Sequence, residues 1–223
     1  MSRNKKIIIT LTFMMSGFIV LPICGQGFLI NQVKTLEIRN LDNKKYSDIA
    51  GSPYYSNDFI NSTIYLKNGN YSNQPLRYDM FRDEMEFMKD GTILWLIKND
   101  IKYIRYGTDM IILAFADGDT TKTGYYFLRE NGKYILFSKK SVIYEPMVPP
   151  KGYSDIIPER FTRDNDDIFI KYQNMPARKI RNKKDLEGYF SDNKTALDFI
   201  KKEKIKADRI EDLNKLVSML NKQ

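Results

Sequence analysis

The stretch EMEFMKDGTILWLI, residues 84–97, carries the pattern that decides the fold of this chain. Polar and apolar side chains alternate over residues 84–87, as they do in a strand with one buried face. Asp90-Gly91 follows, a dipeptide that readily adopts the positive φ angles of a tight turn, and an apolar run continues over residues 92–97. The stretch therefore predicts a β-hairpin.

The same pattern repeats on both sides of this hairpin, from residue 59 to residue 144. Three more turn dipeptides separate strand-like runs, at Asn68-Gly69, Asp117-Gly118 and Asn131-Gly132. The runs are rich in Tyr and Phe, which pair across neighbouring strands. Four such turns at this spacing predict an antiparallel meander, which we expect to be curved, and further strands are predicted near residues 168–172 and 177–180.

The last 43 residues, 181–223, have the signals of a helical tail. Asn182 is placed to cap a first helix, with Asp185 in its first turn. Asp208 followed by Glu211 resembles a capping box. A stripe of apolar residues at helical spacing follows it: Ile210, Leu213, Leu216, Val217 and Leu220. We therefore predict an α+β fold, in which an antiparallel, curved β-sheet meander is followed by C-terminal helices packed on the sheet.

The N-terminus has the order of an export signal. Three basic residues, Arg3, Lys5 and Lys6, precede an apolar run over residues 7–23, and the small residue Gly25 follows. We expect cleavage near Gly25. The predicted divisions are thus a signal peptide (1–25), an N-terminal segment and connector (26–58), an antiparallel β domain (59–180) and the helical tail (181–223).

Two alternatives to cleavage stay open for this N-terminus. Leu21-Pro22-Ile23-Cys24 resembles a bacterial lipobox, in which the cysteine would receive a lipid, so Cys24 is a candidate lipidation site and lipid anchor. The apolar run is also close to the shortest length that crosses a bilayer, so an uncleaved membrane anchor is the other alternative.

The composition excludes several kinds of catalytic and metal site. The chain has no histidine, and Cys24 is its one cysteine, so Ser-His-Asp triads, Cys-His pairs and histidine-based metal sites are excluded. The acidic run at residues 164–167 lacks the spacing of an EF-hand loop and reads as a polar turn. We predict no metal and no cofactor. Asp83, Glu84 and Glu86 are candidate carboxylates for hydrolysis, but their alternation favours a solvated strand face paired with nearby arginines, and we predict no catalytic residue.

The positive charge of the chain belongs to its C-terminal part. The net charge is +8, and from residue 171 onward 14 basic residues against 8 acidic ones give +6. A basic group in this part is the candidate binding patch for an acidic protein partner or an anionic envelope surface, and export argues against nucleic acid. Its members are Arg178, Lys179, Arg181, Lys183 and Lys184. The alternative is the solvated face of packed helices.

Tyr125 and Tyr126 are a second candidate binding element. Adjacent tyrosines can line a groove for a sugar or a lipid, because each offers an apolar ring and a polar hydroxyl. Pairing between neighbouring strands explains them equally well.

Several motifs resemble an uncharacterised exported protein family of Bacteroidota. They are Gly51-Ser52-Pro53-Tyr54, Leu66-Lys67-Asn68-Gly69, Pro75-Leu76-Arg77-Tyr78, Asp83-Glu84-Met85-Glu86-Phe87, Gly124-Tyr125-Tyr126 and the closing helix over residues 208–221. The resemblance implies export to the periplasm, the outer membrane or the medium, and no particular activity.

Together these features predict an exported, non-catalytic cell-envelope protein that binds a protein partner or an envelope surface. Two alternatives stay open: a small hydrolase that uses carboxylates or a Ser-Lys pair, and a small-ligand carrier with a pocket in the sheet. Two convergent carboxylates in an enclosed pocket would favour the hydrolase, and an apolar cavity inside the sheet would favour the carrier.

Overall fold

A computed structural model describes residues 33–35, 46–115, 123–150 and 155–223. The predicted signal peptide, Cys24 and the Asp117-Gly118 turn lie outside the described residues. Among the described residues no helix is both long and apolar enough to cross a membrane.

The described residues form thirteen strands and three α-helices. The strands are β1 (Val33–Thr35), β2 (Ile60–Leu66), β3 (Tyr71–Asp79), β4 (Glu84–Lys89), β5 (Thr92–Leu96), β6 (Ile101–Tyr106), β7 (Asp109–Ala114), β8 (Gly124–Glu130), β9 (Tyr134–Lys139), β10 (Val142–Glu145), β11 (Arg160–Arg163), β12 (Asp167–Tyr172) and β13 (Arg178–Ile180). The helices are α1 (Lys183–Tyr189), α2 (Lys194–Lys202) and α3 (Ile210–Asn221).

Eleven of these strands form one antiparallel sheet, in the order β1-β5-β4-β3-β2-β6-β7-β8-β9-β12-β13. The chain runs outward from β2 to β5, returns to place β6 beside β2, and then runs outward the other way to β9. The hairpin quoted from the sequence is β4–β5, with Phe87 opposite Leu94 and Lys89 opposite Thr92. The predicted α+β fold, an antiparallel meander with C-terminal helices, is confirmed.

The sheet is strongly curved, as predicted. Tyr78 on β3 and Phe127 on β8 have ring centroids 6.0 Å apart, although three strands lie between theirs in the sheet. In a flat sheet four spacings of about 4.8 Å would separate these strands by about 19 Å. The concave side therefore closes on a first hydrophobic core. Its fully buried members include Ile64, Leu76, Met85, Ile104, Ile111 and Phe127.

The helices pack on the second half of the sheet and complete another core. Leu136, Ile168 and Ile170 from the strands meet Leu213 and Leu216 of α3 there. The Asn182 side chain caps α1 by accepting a hydrogen bond from the Asp185 N–H at 3.0 Å, as predicted. The capping box predicted at Asp208 is wrong. Helix α3 begins at Ile210 after Arg209, which makes no side-chain cap, and the Asp212 carboxylate instead accepts from the Lys206 N–H.

Strands β10 and β11 form a separate hairpin, which we call the arm (residues 142–150 and 155–163). Beyond the two strands, Val148 and Ile157 continue the pairing through two backbone hydrogen bonds of 3.0 and 3.2 Å. At the base, Phe161 is buried and its ring lies 5.3 Å from that of Tyr46. The base of the arm is therefore fixed to the first core.

Candidate functional site

The predicted basic group is divided between two sides of the molecule. Arg178 and Lys179 are neighbours on β13, so their side chains leave opposite faces of the sheet. Lys179 forms an ion pair with Asp167 at 2.6 Å, and Lys183 forms one with Glu187 at 3.6 Å. Arg181 and Lys184 lie beside the start of α1 and are exposed, as is Arg178. The structure thus places these five residues in one region without gathering them into a single patch.

Tyr125 and Tyr126 also face opposite sides of the sheet. Tyr125 is completely buried in the first core, and its hydroxyl has no hydrogen-bond partner. Tyr126 packs edge-on against Phe137 and Phe169, at centroid distances of 5.2 and 5.5 Å. Neither tyrosine lines an open surface, so the structure accounts for both by packing.

The candidate carboxylate Glu86 lies in a buried ion pair. Its side chain is 2% exposed, and one of its oxygens accepts hydrogen bonds from Arg77 Nε at 2.9 Å and Nη2 at 2.7 Å. The Arg77 guanidinium lies over the rings of Tyr54 and Phe59, at 3.9 and 4.6 Å from their centroids. The predicted solvated face is therefore wrong at this position, because residues from the segment before β2 cover it.

A second buried carboxylate, Asp79, stands near Glu86. Asp79 is fully buried and accepts hydrogen bonds from the Tyr46 hydroxyl at 3.2 Å and the Arg82 N–H at 2.9 Å. Burial raises the pKa of Asp79 to about 6, and the charge of Glu86 acts in the same direction. Two carboxylates with such environments invite a comparison with a hydrolytic pair. Arg77 pairs with Glu86, and Tyr46 and the Arg82 N–H donate to Asp79, as is usual for buried carboxylates with a structural role.

The other candidate carboxylates, Asp83 and Glu84, belong to a cluster that joins distant parts of the sheet. Lys139 Nζ contacts Asp83 Oδ1, and the same oxygen accepts hydrogen bonds from the Tyr78 hydroxyl at 2.7 Å and the Tyr125 N–H at 3.3 Å. Lys98 Nζ lies 3.7 Å from Asp83 Oδ2 and 3.4 Å from Glu84 Oε1. We call this group the Lys139–Asp83 cluster. Its members are Tyr78, Asp83, Glu84, Lys98, Tyr125 and Lys139.

Burial acts on the ionisation of this cluster. It lowers the pKa of Lys139, and the Lys98 charge lowers it further, while Asp83 and Glu84 oppose both effects. It raises the pKa of Glu84, with Lys98 opposing. Both shifts favour uncharged forms, as expected when an amine and a carboxyl lose contact with water.

Two of the grooves on the described surface have no carboxylate in their lining. One has a volume of about 260 Å³ and is lined by polar residues of β2, β3 and β6, among them Thr63, Asn73 and Arg105. The other, of about 570 Å³, lies along α3 beside Asn214, Ser218 and Lys222. Neither has the paired carboxylates that the hydrolase alternative needs.

Metal ligation receives no support from the described part of the chain, where no group of three or more acidic or cysteine side chains is placed to hold an ion. In the acidic run at residues 164–167, Asp166 pairs with Lys140 at 2.5 Å and Asp167 with Lys179. These carboxylates are engaged by lysines.

The arm carries an exposed apolar surface that the sequence reasoning missed. Five large apolar side chains of the arm are between 43% and 58% exposed: Ile143, Met147, Val148, Ile156 and Ile157. In the sequence this segment reads as a proline-rich linker, because Pro146, Pro149, Pro150 and Pro158 interrupt it. The signal that would have found it is the number of large apolar residues between those prolines.

The chain matches no protein-family model, no curated protein and no solved structure. Its class, an antiparallel α+β protein with an exposed hairpin arm, therefore follows from its own geometry.

Proposed function

We propose that this chain is an exported, non-catalytic protein of the cell envelope and that it binds a protein partner through the exposed apolar side chains of the arm. The observation that carries the proposal is the cluster of five exposed apolar side chains on one hairpin with a buried base. Several large apolar side chains exposed on one element are unfavourable in water and mark interaction sites in soluble proteins. The N-terminal sequence supports the exported location.

The charge of the arm favours a protein partner over an anionic envelope surface. Residues 142–163 contain three acidic and three basic residues, so the segment has no net charge. Glu145 and Arg160 neutralise each other in an ion pair of 2.6 Å. A surface that binds anionic lipid gains its affinity from an excess of Lys and Arg. The arm has no such excess, and an apolar protein surface is the complementary occupant.

A pair of matched double variants tests this surface. Ile156→Asp/Ile157→Asp places two charges on the arm, and Met88→Asp/Met175→Asp places two charges on apolar side chains elsewhere that are equally exposed, at 50–60%. Tagged chains would be purified from native envelopes, and each recovered protein would then be tested for direct binding. We expect the arm variant to weaken the partner's binding by roughly tenfold or more, because each apolar side chain contributes about 1.5–3 kcal/mol when buried.

The control variant should bind like the unchanged chain. If the partner bound the arm variant and the control variant equally well, the proposal would be contradicted. An Arg178→Glu/Lys184→Glu variant tests the basic group in the same assay. Loss of binding in that variant, with the arm variant unaffected, would place the partner's binding site on the basic group and not on the arm.

A further inference from the structure

We propose that Lys139 and Asp83 become joined by an intramolecular amide bond between Lys139 Nζ and Asp83 Cγ. The two residues lie 56 positions apart in the chain, yet their side chains are in direct contact. Such a bond would covalently close the concave side of the sheet, because it links the β3–β4 turn to β9.

The surroundings of Lys139 favour a nucleophilic amine. Its side chain is 18% exposed, and burial lowers the pKa of its ammonium. Lys98 adds a second positive charge nearby. Both features favour loss of the proton, which leaves the lone pair needed for attack on a carboxyl carbon.

The surroundings of Asp83 favour an electrophilic carboxyl. The Tyr78 hydroxyl and the Tyr125 N–H both point at Oδ1, where negative charge develops when an amine adds to Cγ. Lys98 lies on the side of the other oxygen, Oδ2. Gly124 leaves room for the pair, since a Cβ at this position would lie 3.1 Å from both Asp83 Oδ2 and Lys139 Nζ.

The reaction needs no oxidant and no further reactant. One proton passes from the Lys139 ammonium to the Asp83 carboxylate, and the neutral amine then adds to Cγ. The Cγ–Oδ2 bond breaks as the Nζ–Cγ bond becomes an amide, and Oδ2 leaves as water with the two protons that Nζ has lost. The second proton reaches Oδ2 through solvent, since the Lys139 and Asp83 side chains are 18% and 26% exposed. The product removes two opposite charges from a poorly hydrated site.

The chain offers an internal control for this chemistry. Lys140 and Asp166 also form an ion pair, with side chains 20% and 27% exposed against 18% and 26% for Lys139 and Asp83. Within the described residues no tyrosine hydroxyl donates to Asp166. We expect this second pair to remain ionic, because proximity without the surrounding donors does not activate a carboxyl.

The test is the intact mass of the purified full chain. We expect the mass to be lower than its sequence requires, for the N-terminus found, by one water molecule. A proteolytic digest should contain one branched peptide that joins the segments around residues 83 and 139. The Lys139→Arg variant keeps the positive charge but has no amine, and should have its full mass. The Lys140→Arg variant should still lack one water.

Two outcomes would overturn the proposal. One is the full mass in the unchanged chain, a result that does not depend on whether any variant folds. The other is loss of water that persists in Lys139→Arg, as a succinimide at Asp90-Gly91 or Asp117-Gly118 would produce. A succinimide also hydrolyses in mild base, whereas the amide does not.

Discussion

Asp79 shows at the scale of one residue how burial changes the chemistry of a side chain. The carboxylate is held away from water between Tyr46 and the backbone of Arg82, and desolvation is the main cause of its raised pKa. A folded-state pKa of about 6 lies above the ordinary value of 3.8. The native state therefore binds more protons than the unfolded state between about pH 4 and pH 6, so stability falls as the pH rises through this window.

The Asp79→Asn variant should remove this penalty. The two hydrogen bonds end on different carboxylate oxygens, so the asparagine oxygen keeps the one from the Arg82 N–H, and its NH2 can donate to the Tyr46 hydroxyl instead. The asparagine carries no charge. We expect the variant to be more stable than the unchanged chain by about 2–3 kcal/mol at pH 8. The difference should shrink to about 0.5 kcal/mol at pH 4, where the native aspartate is protonated and the unfolded one is about half ionised. Denaturant unfolding at pH 4, 6 and 8 measures it, and a difference independent of pH would contradict the explanation.

At the scale of an element, one side chain fixes the end of α3 to the sheet. Asn221 accepts a hydrogen bond from the Tyr134 N–H at 2.8 Å and donates to the Tyr134 carbonyl oxygen at 2.9 Å. The amide thus pairs with the first residue of β9 as a neighbouring strand would. Ser218 adds a bond of 2.6 Å to Glu130 on β8. The helix is therefore positioned by polar contacts at its end as well as by its apolar stripe.

Asn221→Ala should destabilise the chain by about 1–3 kcal/mol, because it leaves the Tyr134 N–H and carbonyl without their partner. Asn214→Ala is the matched control on the same helix. The Asn214 side-chain oxygen is buried and has no hydrogen-bond partner, so its removal should cost much less. Thermal unfolding of the two variants decides between them. Equal destabilisation would show that Asn221 contributes no more than an ordinary helix residue.

At the scale of the whole molecule, one sheet serves two large cores, and a smaller cluster around Tyr126, Phe137 and Phe169 lies beside them. The first core lies on the concave side of the strands from β2 to β8, and the second lies between β9, β12, β13 and the helices. Strands β8 and β9 are hydrogen-bonded neighbours, so the two cores share a continuous backbone ladder. We therefore expect the described domain to unfold as one cooperative unit.

Leu216→Ala tests this cooperativity from the helical side. Leu216 is fully buried in the second core, and its truncation should cost about 2–5 kcal/mol. The chain has a single tryptophan, Trp95, which lies on β5 away from the helices. Tryptophan fluorescence and helical circular dichroism should therefore shift to lower temperature together. A shift of the helical signal alone would mean that the tail unfolds separately.

The candidate sites show where prediction from local sequence ends. Alternation correctly places Glu84 and Glu86 on one side of β4, but alternation does not reveal what covers that side. Tyr54, from a segment that reads as a polar connector, and Phe59, just after it, enclose Arg77 and so bury its partner Glu86. Burial of this kind depends on residues that meet only after the chain has folded.

The sequence alone determined the local elements of this protein. Turn dipeptides, alternation and helix caps act over a few residues, so they predicted the antiparallel meander and the helical tail. The tertiary structure decided which side chains meet across the curved sheet. It brought Lys139 to Asp83, divided the basic group between two faces and left the apolar arm exposed. Contacts between residues far apart in the chain depend on curvature and packing, which no local pattern records.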